Sequence, residues 1–366
     1  MSVVVKVGGS VLRRPEDFVR AARNIRMLWV ERGIIPIVVV SAMKGVTDRL
    51  IAASSGAVEE LDSVEQKYTE VADELGSSLA SRVSSEVKKI REILGELCCD
   101  ELMRSYIVSL GEKLSRIAMV RALEIEGVRA FEVNAADVIV TDSIFDNATI
   151  IYNLTASKLI NIMNLSIKLN AIPVIEGFVG ANTSGFITTL GRGCSDYTAT
   201  TIASLLGLRA YLVTDVVGVM TADPDLVPSA RPVSTLSYDE AYEAACFGVK
   251  RLSPKAIEPL KRFYPSDVFV GMWNSWRTVI MGTRTERPKL LCNNGSTIAV
   301  IGHGVSSSEF ALEILRLMKE HSTEVISMEF SKSRPLLRLS VDAKSENVKR
   351  ILRDLHDELF VEVNRS

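Results

Sequence analysis

The sequence predicts an α/β protein with a mainly parallel central sheet in a large amino-terminal domain and a small βαββαβ domain behind it. Two observations carry the first part. Short unbroken runs of β-branched residues read as strands buried on both faces. Segments of helical period separate them, which is how parallel strands are joined. The second part rests on spacing, which shortens from Ser296 onward into strand, helix, two strands, helix and strand.

Val3–Val7 is the first such run, broken by Gly8 and Gly9. A helix is expected from Pro15 to Val30, with proline in its first turn, Glu16 and Asp17 complementing the positive end, and Gly33 as the stop. Ile34–Val40 reads as the next strand and ends in the polar turn Ser41–Gly45, so the three elements make a parallel unit. Residues 59–104 are polar, helical in period and poor in glycine and proline, and are expected to form a helical lobe. Alternation resumes with a strand at Ile107–Leu110, a helix over Glu112–Glu126 and a strand at Ala130–Val133. A helix at Thr155–Leu169, a strand at Ile172–Glu176, a helix at Ala199–Leu206 and a strand at Tyr211–Thr214 follow. The first domain is expected to span 1–283 and a linker 284–295, marked by Pro288 and the Asn293-Asn294-Gly295 turn. The second domain, 296–366, should hold strands Thr297–Ile301, Val325–Phe330, Leu336–Val341 and Val361–Val363, with helices Ser308–Glu320 and Ser345–Leu359.

Composition narrows the function classes. Hydrophobic residues make up 47% and charged residues 24%, enough apolar surface for packed cores. A formal net charge of −2 offers no polycationic footprint, which argues against nucleic acid and acidic membranes as partners. Five cysteines without CxxC spacing argue against a disulfide framework or a zinc site. With no signal-peptide layout and no long uncharged apolar run, a cytoplasmic location is expected.

Four segments could carry chemistry. In Lys6-Val7-Gly8-Gly9-Ser10, glycines let backbone amides approach phosphate and an ammonium neutralises a transferring phosphoryl group. In Thr189–Thr200, a glycine-rich loop with Arg192, Ser195 and Asp196 runs into a helix start, where anions are favoured. Arg192 could grip a carboxylate with two parallel bonds, and Asp196 could hold an ammonium or orient the reacting lysine. Val213–Pro224 passes from a strand end into an Asp-Pro loop, where Thr214, Asp215 and Met220 could meet a nucleotide. Phe247-Gly248-Val249-Lys250 sets a second lysine between two helices. His303, His321 and His356 all fall in the last domain, away from these segments.

Taken in order with Ser41–Asp48 and the Ser109-Leu110-Gly111-Glu112 turn, these segments resemble the aspartokinases of the amino-acid kinase family over nearly the whole chain. The resemblance implies a three-layer amino-acid kinase fold followed by one ferredoxin-like ACT domain, and a homodimer through it. It implies phosphorylation of the β-carboxylate of L-aspartate by ATP, with Mg²⁺ carried by the ATP phosphates and no protein metal site. Lys6, Asp196 and Lys250 would be catalytic, and Gly8, Gly9 and Ser10 would bind phosphate. Ser41, Thr47, Glu112, Arg192, Ser195 and Asp196 would bind aspartate. Thr214, Asp215, Met220 and Lys250 would bind the nucleotide.

The sequence also departs from the family pattern. Val11 stands where a hydroxyl residue is usual, Cys194 where glycine is usual, Met220 where an aromatic is common and Asp225 where arginine is frequent. Arg231 is a possible substitute for that arginine. A second, inserted ACT module is missing from the pattern, so weak inhibition by lysine or threonine is expected. Two alternatives stay open: a related kinase with another carboxylate or phosphate acceptor, and a catalytically weak amino-acid sensor.

Overall fold

A computed structural model describes residues 2–76, 78–96, 100–191, 193–263, 267–342 and 345–361. They fall into two compact units, Met1–Asp215 and Val216–Ser366.

The first unit runs β1 (Val3–Val7), α1 (Glu16–Leu28), β2 (Ile37–Val40), α2 (Val46–Ser54), α3 (Glu60–Leu75), α4 (Ser78–Glu96) and α5 (Glu101–Ile125). It continues with β3 (Ala130–Val133), α6 (Ala135–Val138), β4 (Val140–Thr141), α7 (Tyr152–Leu169), β5 (Ile172–Glu176), β6 (Val179–Asn182), β7 (Ile187–Thr189), α8 (Ser195–Leu206) and β8 (Arg209–Val213). Five strands pair in parallel in the order β3-β5-β2-β1-β8. Val4, Val5, Val38, Val39 and Val174 are wholly buried, as unbroken apolar strands covered on both faces must be. A small second sheet sets β4 parallel and β7 antiparallel to β6.

The expected strand Ile107–Leu110 is instead the middle of α5, and so is the expected Ser109–Glu112 turn. Three apolar residues around one serine are too short a segment to separate a strand from a buried helix, and the helix continues through it without a break in both directions. Asp100 caps the helix by accepting from the Met103 amide at 2.8 Å. Gly111 is there for close approach: a Cβ would lie 2.8 Å from Ala42 Cβ and 2.9 Å from Val46 Cγ1. The helix therefore packs tightly on the turn after β2.

The second unit holds β9 (Thr235–Ser237), α9 (Tyr238–Cys246), α10 (Pro254–Phe263), β10 (Val268–Met272), β11 (Ser275–Met281), β12 (Leu290–Asn294) and β13 (Thr297–Ile301). Then come α11 (Ser308–Glu320), β14 (Val325–Phe330), β15 (Leu336–Val341) and α12 (Ser345–His356). A four-stranded antiparallel sheet has the order β12-β13-β15-β14. Its first strand lies within the stretch expected as linker and flanks β13. Of the expected last strand Val361–Val363, only Val361 is described, closing a π-helical turn; the rest lies outside the described residues.

Two contacts tie this unit together. Glu240 is fully buried in a capping box and accepts from the Ser237 amide at 2.7 Å, the Lys289 ammonium at 2.8 Å and the His303 amide at 3.1 Å. A buried carboxylate so completely paired fixes α9 to the chain on both sides of the β12–β13 hairpin. Ala222 and Val227, from the loop after β8, sit in one apolar core with Ile298, Val300, Leu337 and Leu352. Among the described residues, no helix is long and apolar enough to cross a membrane.

Candidate active site

Parallel strands end at one edge of their sheet, and in the first unit four of them end in residues of chemical interest. β1 leads into Gly8, Gly9 and Ser10; β2 into Ser41; β5 into Gly177; β8 into Thr214 and Asp215. This is where ligands bind in open parallel sheets.

Lys6, in register with Val39 and Leu212, sends its ammonium to Asp196 Oδ1 at 2.7 Å. The lysine side chain is 13% exposed and the aspartate 20%. Oδ1 is buried and, close as the ammonium lies, receives no aligned hydrogen bond among the described residues. The glycines beside this pair are sterically required. A Cβ on Gly8 would stand 2.9 Å from the Val213 carbonyl and 3.1 Å from Lys6 Nζ; one on Gly9 would stand 2.5 Å from the Ala42 carbonyl. Ser10 Oγ lies 3.5 Å from Thr214 Oγ1, which donates to Asp215 Oδ1 at 3.3 Å. Asp215 also pairs with Arg13 at 2.7 Å, a partner the sequence reading did not supply.

Ser41 is buried, and its amide donates to the Val7 carbonyl at 3.1 Å. The next amide, Ala42, donates to Glu112 Oε1 at 3.2 Å. Burial pushes the Glu112 carboxyl up to about 8, and its Oε2 has no partner among the described residues. Below it the buried Tyr68 hydroxyl contacts the Gly111 carbonyl and Ser115 Oγ, each at 2.7 Å, and accepts from the Met43 amide at 3.2 Å. The helical lobe thus supplies a prop for the site, which its polar, unremarkable sequence did not signal. Thr47 is half-buried in the first turn of α2, and no described hydrogen bond joins it to these residues.

The glycine-rich loop has the backbone its glycines permit: Gly191 and Gly193 take φ of 98° and 74°. Arg192 between them lies outside the described residues. Cys194 is buried at φ −87°, an ordinary conformation for a side-chain-bearing residue. Ser195 and Asp196 form the first turn of α8, which starts earlier than expected. Gly177 touches Ser195, since a Cβ there would lie 2.5 Å from Ser195 Cβ. Beside it, Glu176 pairs with Arg116 and accepts from the Ala135 amide at 2.7 Å.

In the second unit Met220 and Lys250 line one pocket of about 380 Å³, within the range of small-molecule sites. Lys250 pairs with Asp223 at 3.0 Å and Asp225 at 2.6 Å. Asp225 is therefore not simply a lost cation; it contacts the lysine directly. Arg231 donates to the Phe360 carbonyl.

A model of the amino acid kinase family matches residues 1–269. Chloroplastic aspartokinase 3 of Arabidopsis thaliana is 33% identical over 326 residues, covering 84% of this chain and 56% of the relative. Lysine-sensitive aspartokinase 3 of Escherichia coli is 29% identical over 88% of this chain and 75% of the relative. The solved structure of E. coli aspartokinase III in complex with aspartate and ADP superposes with a TM-score of 0.73 at 25% identity, over 96% of this chain and 84% of that one. The chain spans little more than half the length of its plant relative, and the family model covers well over half of the chain: it belongs to the amino acid kinase family.

Proposed function

We propose that the chain is an aspartate kinase, transferring the γ-phosphoryl group of ATP to the β-carboxylate of L-aspartate to give 4-phospho-L-aspartate. The observation that carries this reading is the Lys6–Asp196 pair, set against glycine backbone on one side and the half-satisfied buried Glu112 on the same sheet edge. A buried carboxyl with one oxygen unpartnered becomes a favourable anion only when a cationic ligand group pairs with it, and the ammonium of an amino acid is one. Lys6 would meet the γ-phosphoryl group, with Gly8, Gly9 and Ser10 as its backbone and hydroxyl cradle. Ser41, Thr47, Arg192, Ser195 and Asp196 would complete the aspartate pocket, and Thr214, Asp215, Met220 and Lys250 the nucleotide side.

In the reaction a β-carboxylate oxygen attacks the γ-phosphorus in line. The bond to the β,γ-bridging oxygen breaks, and ADP leaves with its electron pair. No protein nucleophile takes part, so the protein acts by positioning and electrostatics. Mg²⁺ bound to the phosphates would neutralise their charge. Asp223 and Asp225 beside Lys250 combine hard oxygen donors with a cation, a set suited to a metal–phosphate pair.

The relatives support both substrates: the E. coli structure is a complex with aspartate and ADP. The β14 edge, with Ile326 and Phe330 exposed, supports a homodimer through the carboxy-terminal sheet. The absence of paired-cysteine spacing supports a reducing, cytoplasmic setting.

The test is hydroxylamine trapping of the acyl phosphate with ATP and Mg²⁺ over a panel of glutamate, N-acetylglutamate, carbamate and aspartate. Hydroxamate from aspartate alone is expected. Turnover with a different acceptor, or none with aspartate, sinks the reading.

A further inference from the structure

The pocket that holds Met220 and Lys250 is not built only from the loops around them. Leu291, Cys292 and Asn293 of β12 and Leu352 of α12 line it too. These come from the carboxy-terminal module, whose core already contains Ala222 and Val227 from the loop at the pocket's other side. Given that this pocket takes the nucleotide, as proposed above, we propose that β12 forms its base-recognition wall and that Asn293 determines specificity for adenine.

The argument starts from the chemistry of the lining. Its charged groups, Asp223, Asp225, Lys250 and Arg251, suit phosphates and metal rather than a neutral base. Most other lining side chains are apolar and can only stack or pack. Cys292 has its thiol pushed up to about 12 by burial and turned toward the Ala299 carbonyl at 3.8 Å. Among the described lining side chains, that leaves Asn293 as the one neutral group with both a donor and an acceptor.

Its orientation is set. β12 pairs Asn293 with Ile298, and the amide nitrogen donates to the Gly295 carbonyl at 3.2 Å. One N–H is spent on that anchor; the other, with Oδ1, forms the donor–acceptor edge that matches adenine N7 and its 6-amino group. Guanine offers an acceptor, O6, where adenine offers the amine. It would meet Oδ1 acceptor to acceptor, and the Gly295 anchor opposes the amide flip that would relieve this. The module thereby becomes part of the nucleotide site rather than an appendage to it.

Calorimetric titration of the full chain with ADP and with GDP tests this without turnover. The wild type is expected to bind ADP at least about tenfold more tightly than GDP, and Asn293→Ala to bring the two within about twofold. In parallel, photolabelling of the wild type with 8-azido-ATP should mark the peptide containing Leu290–Asn294, a readout that needs no variant to fold. An unchanged ADP/GDP ratio in a folded Asn293→Ala, label found only elsewhere, or no ADP binding would each overturn the inference. Asn293-dependent ADP selectivity with no aspartyl hydroxamate would keep it and overturn the acceptor assignment instead.

Discussion

Lys6 and Lys250 are the two lysines of the proposed site, and their surroundings differ in pairing and in exposure. Lys6 stands in a strand paired on both sides, 13% exposed, with one carboxylate at 2.7 Å. Lys250 stands in a turn between α9 and α10, 63% exposed, held by two carboxylates of which Asp225 is 80% exposed. A charge fixed by backbone and shielded from water acts at full strength without reorganising. One held by solvated side chains is screened, and its partners can let go. Lys6 is held inside the sheet, and Lys250 is held at the surface by two carboxylates.

The sharpest way to break that contrast is Lys6→Ala. With the preorganised cation gone, kcat should fall about a thousandfold while the KM for aspartate changes little. A loss under about tenfold in steady-state assays would remove Lys6 from the transition state.

Glu112→Gln tests the rest of the fixed half. The variant keeps the hydrogen bond from the Ala42 amide but cannot become an anion. Aspartate KM should rise roughly thirtyfold from loss of a charge-assisted contact. In the wild type the carboxyl titrates near 8, so the anion that would receive the substrate ammonium grows as pH rises, and aspartate KM should fall between pH 6.5 and 8.5. Stability runs the other way. The folded carboxyl holds its proton up to about 8 while the unfolded one releases it near the ordinary value of 4.5, so stability declines as pH rises between them. Both slopes should flatten in Glu112→Gln; an aspartate KM that is level with pH in the wild type would remove the ionisation from binding.

The contrast also explains what the sequence revealed. Strands β1 and β5 were legible because doubly buried parallel strands are written as unbroken apolar runs. The candidate residues after β1 were legible because Gly8 and Gly9 admit no side chain. Ile107–Leu110 misled because three apolar residues around a serine have no measurable period, and Gly111 looked like a turn when it marks a helix pressed against Ala42. Tyr68 left no signal, since a core tyrosine and a site prop have the same local pattern. Strand β12 was hidden by the Asn-Asn-Gly turn that joins it to β13, a turn that reads equally as linker.

On the exposed side, Lys250→Ala should cost less than its counterpart, about tenfold in kcat/KM for ATP, since an exposed cation contributes through screened charge. Raising the ionic strength should narrow the gap between wild type and variant, whereas the Lys6→Ala deficit should persist. Equal salt sensitivity of the two deficits would end the distinction between a shielded and an exposed cation.

The smallest effect is the most informative. Asp225 stands at the position where an arginine would be expected to help bind phosphate, and it contacts Lys250 at 2.6 Å instead. If it restrains the lysine from the phosphates, Asp225→Asn frees the ammonium, which still has Asp223 at 3.0 Å to orient it. The KM for ATP should then fall two- to fivefold, the scale of an exposed ion pair, with kcat and aspartate KM unchanged. If Asp225 instead supports the Mg²⁺ that travels with the phosphates, the same substitution raises the KM for MgATP, and extra Mg²⁺ partly restores it. The direction of one KM, measured at two Mg²⁺ concentrations, decides whether the charge reversal at this position weakens the nucleotide site or rebuilds it around the metal.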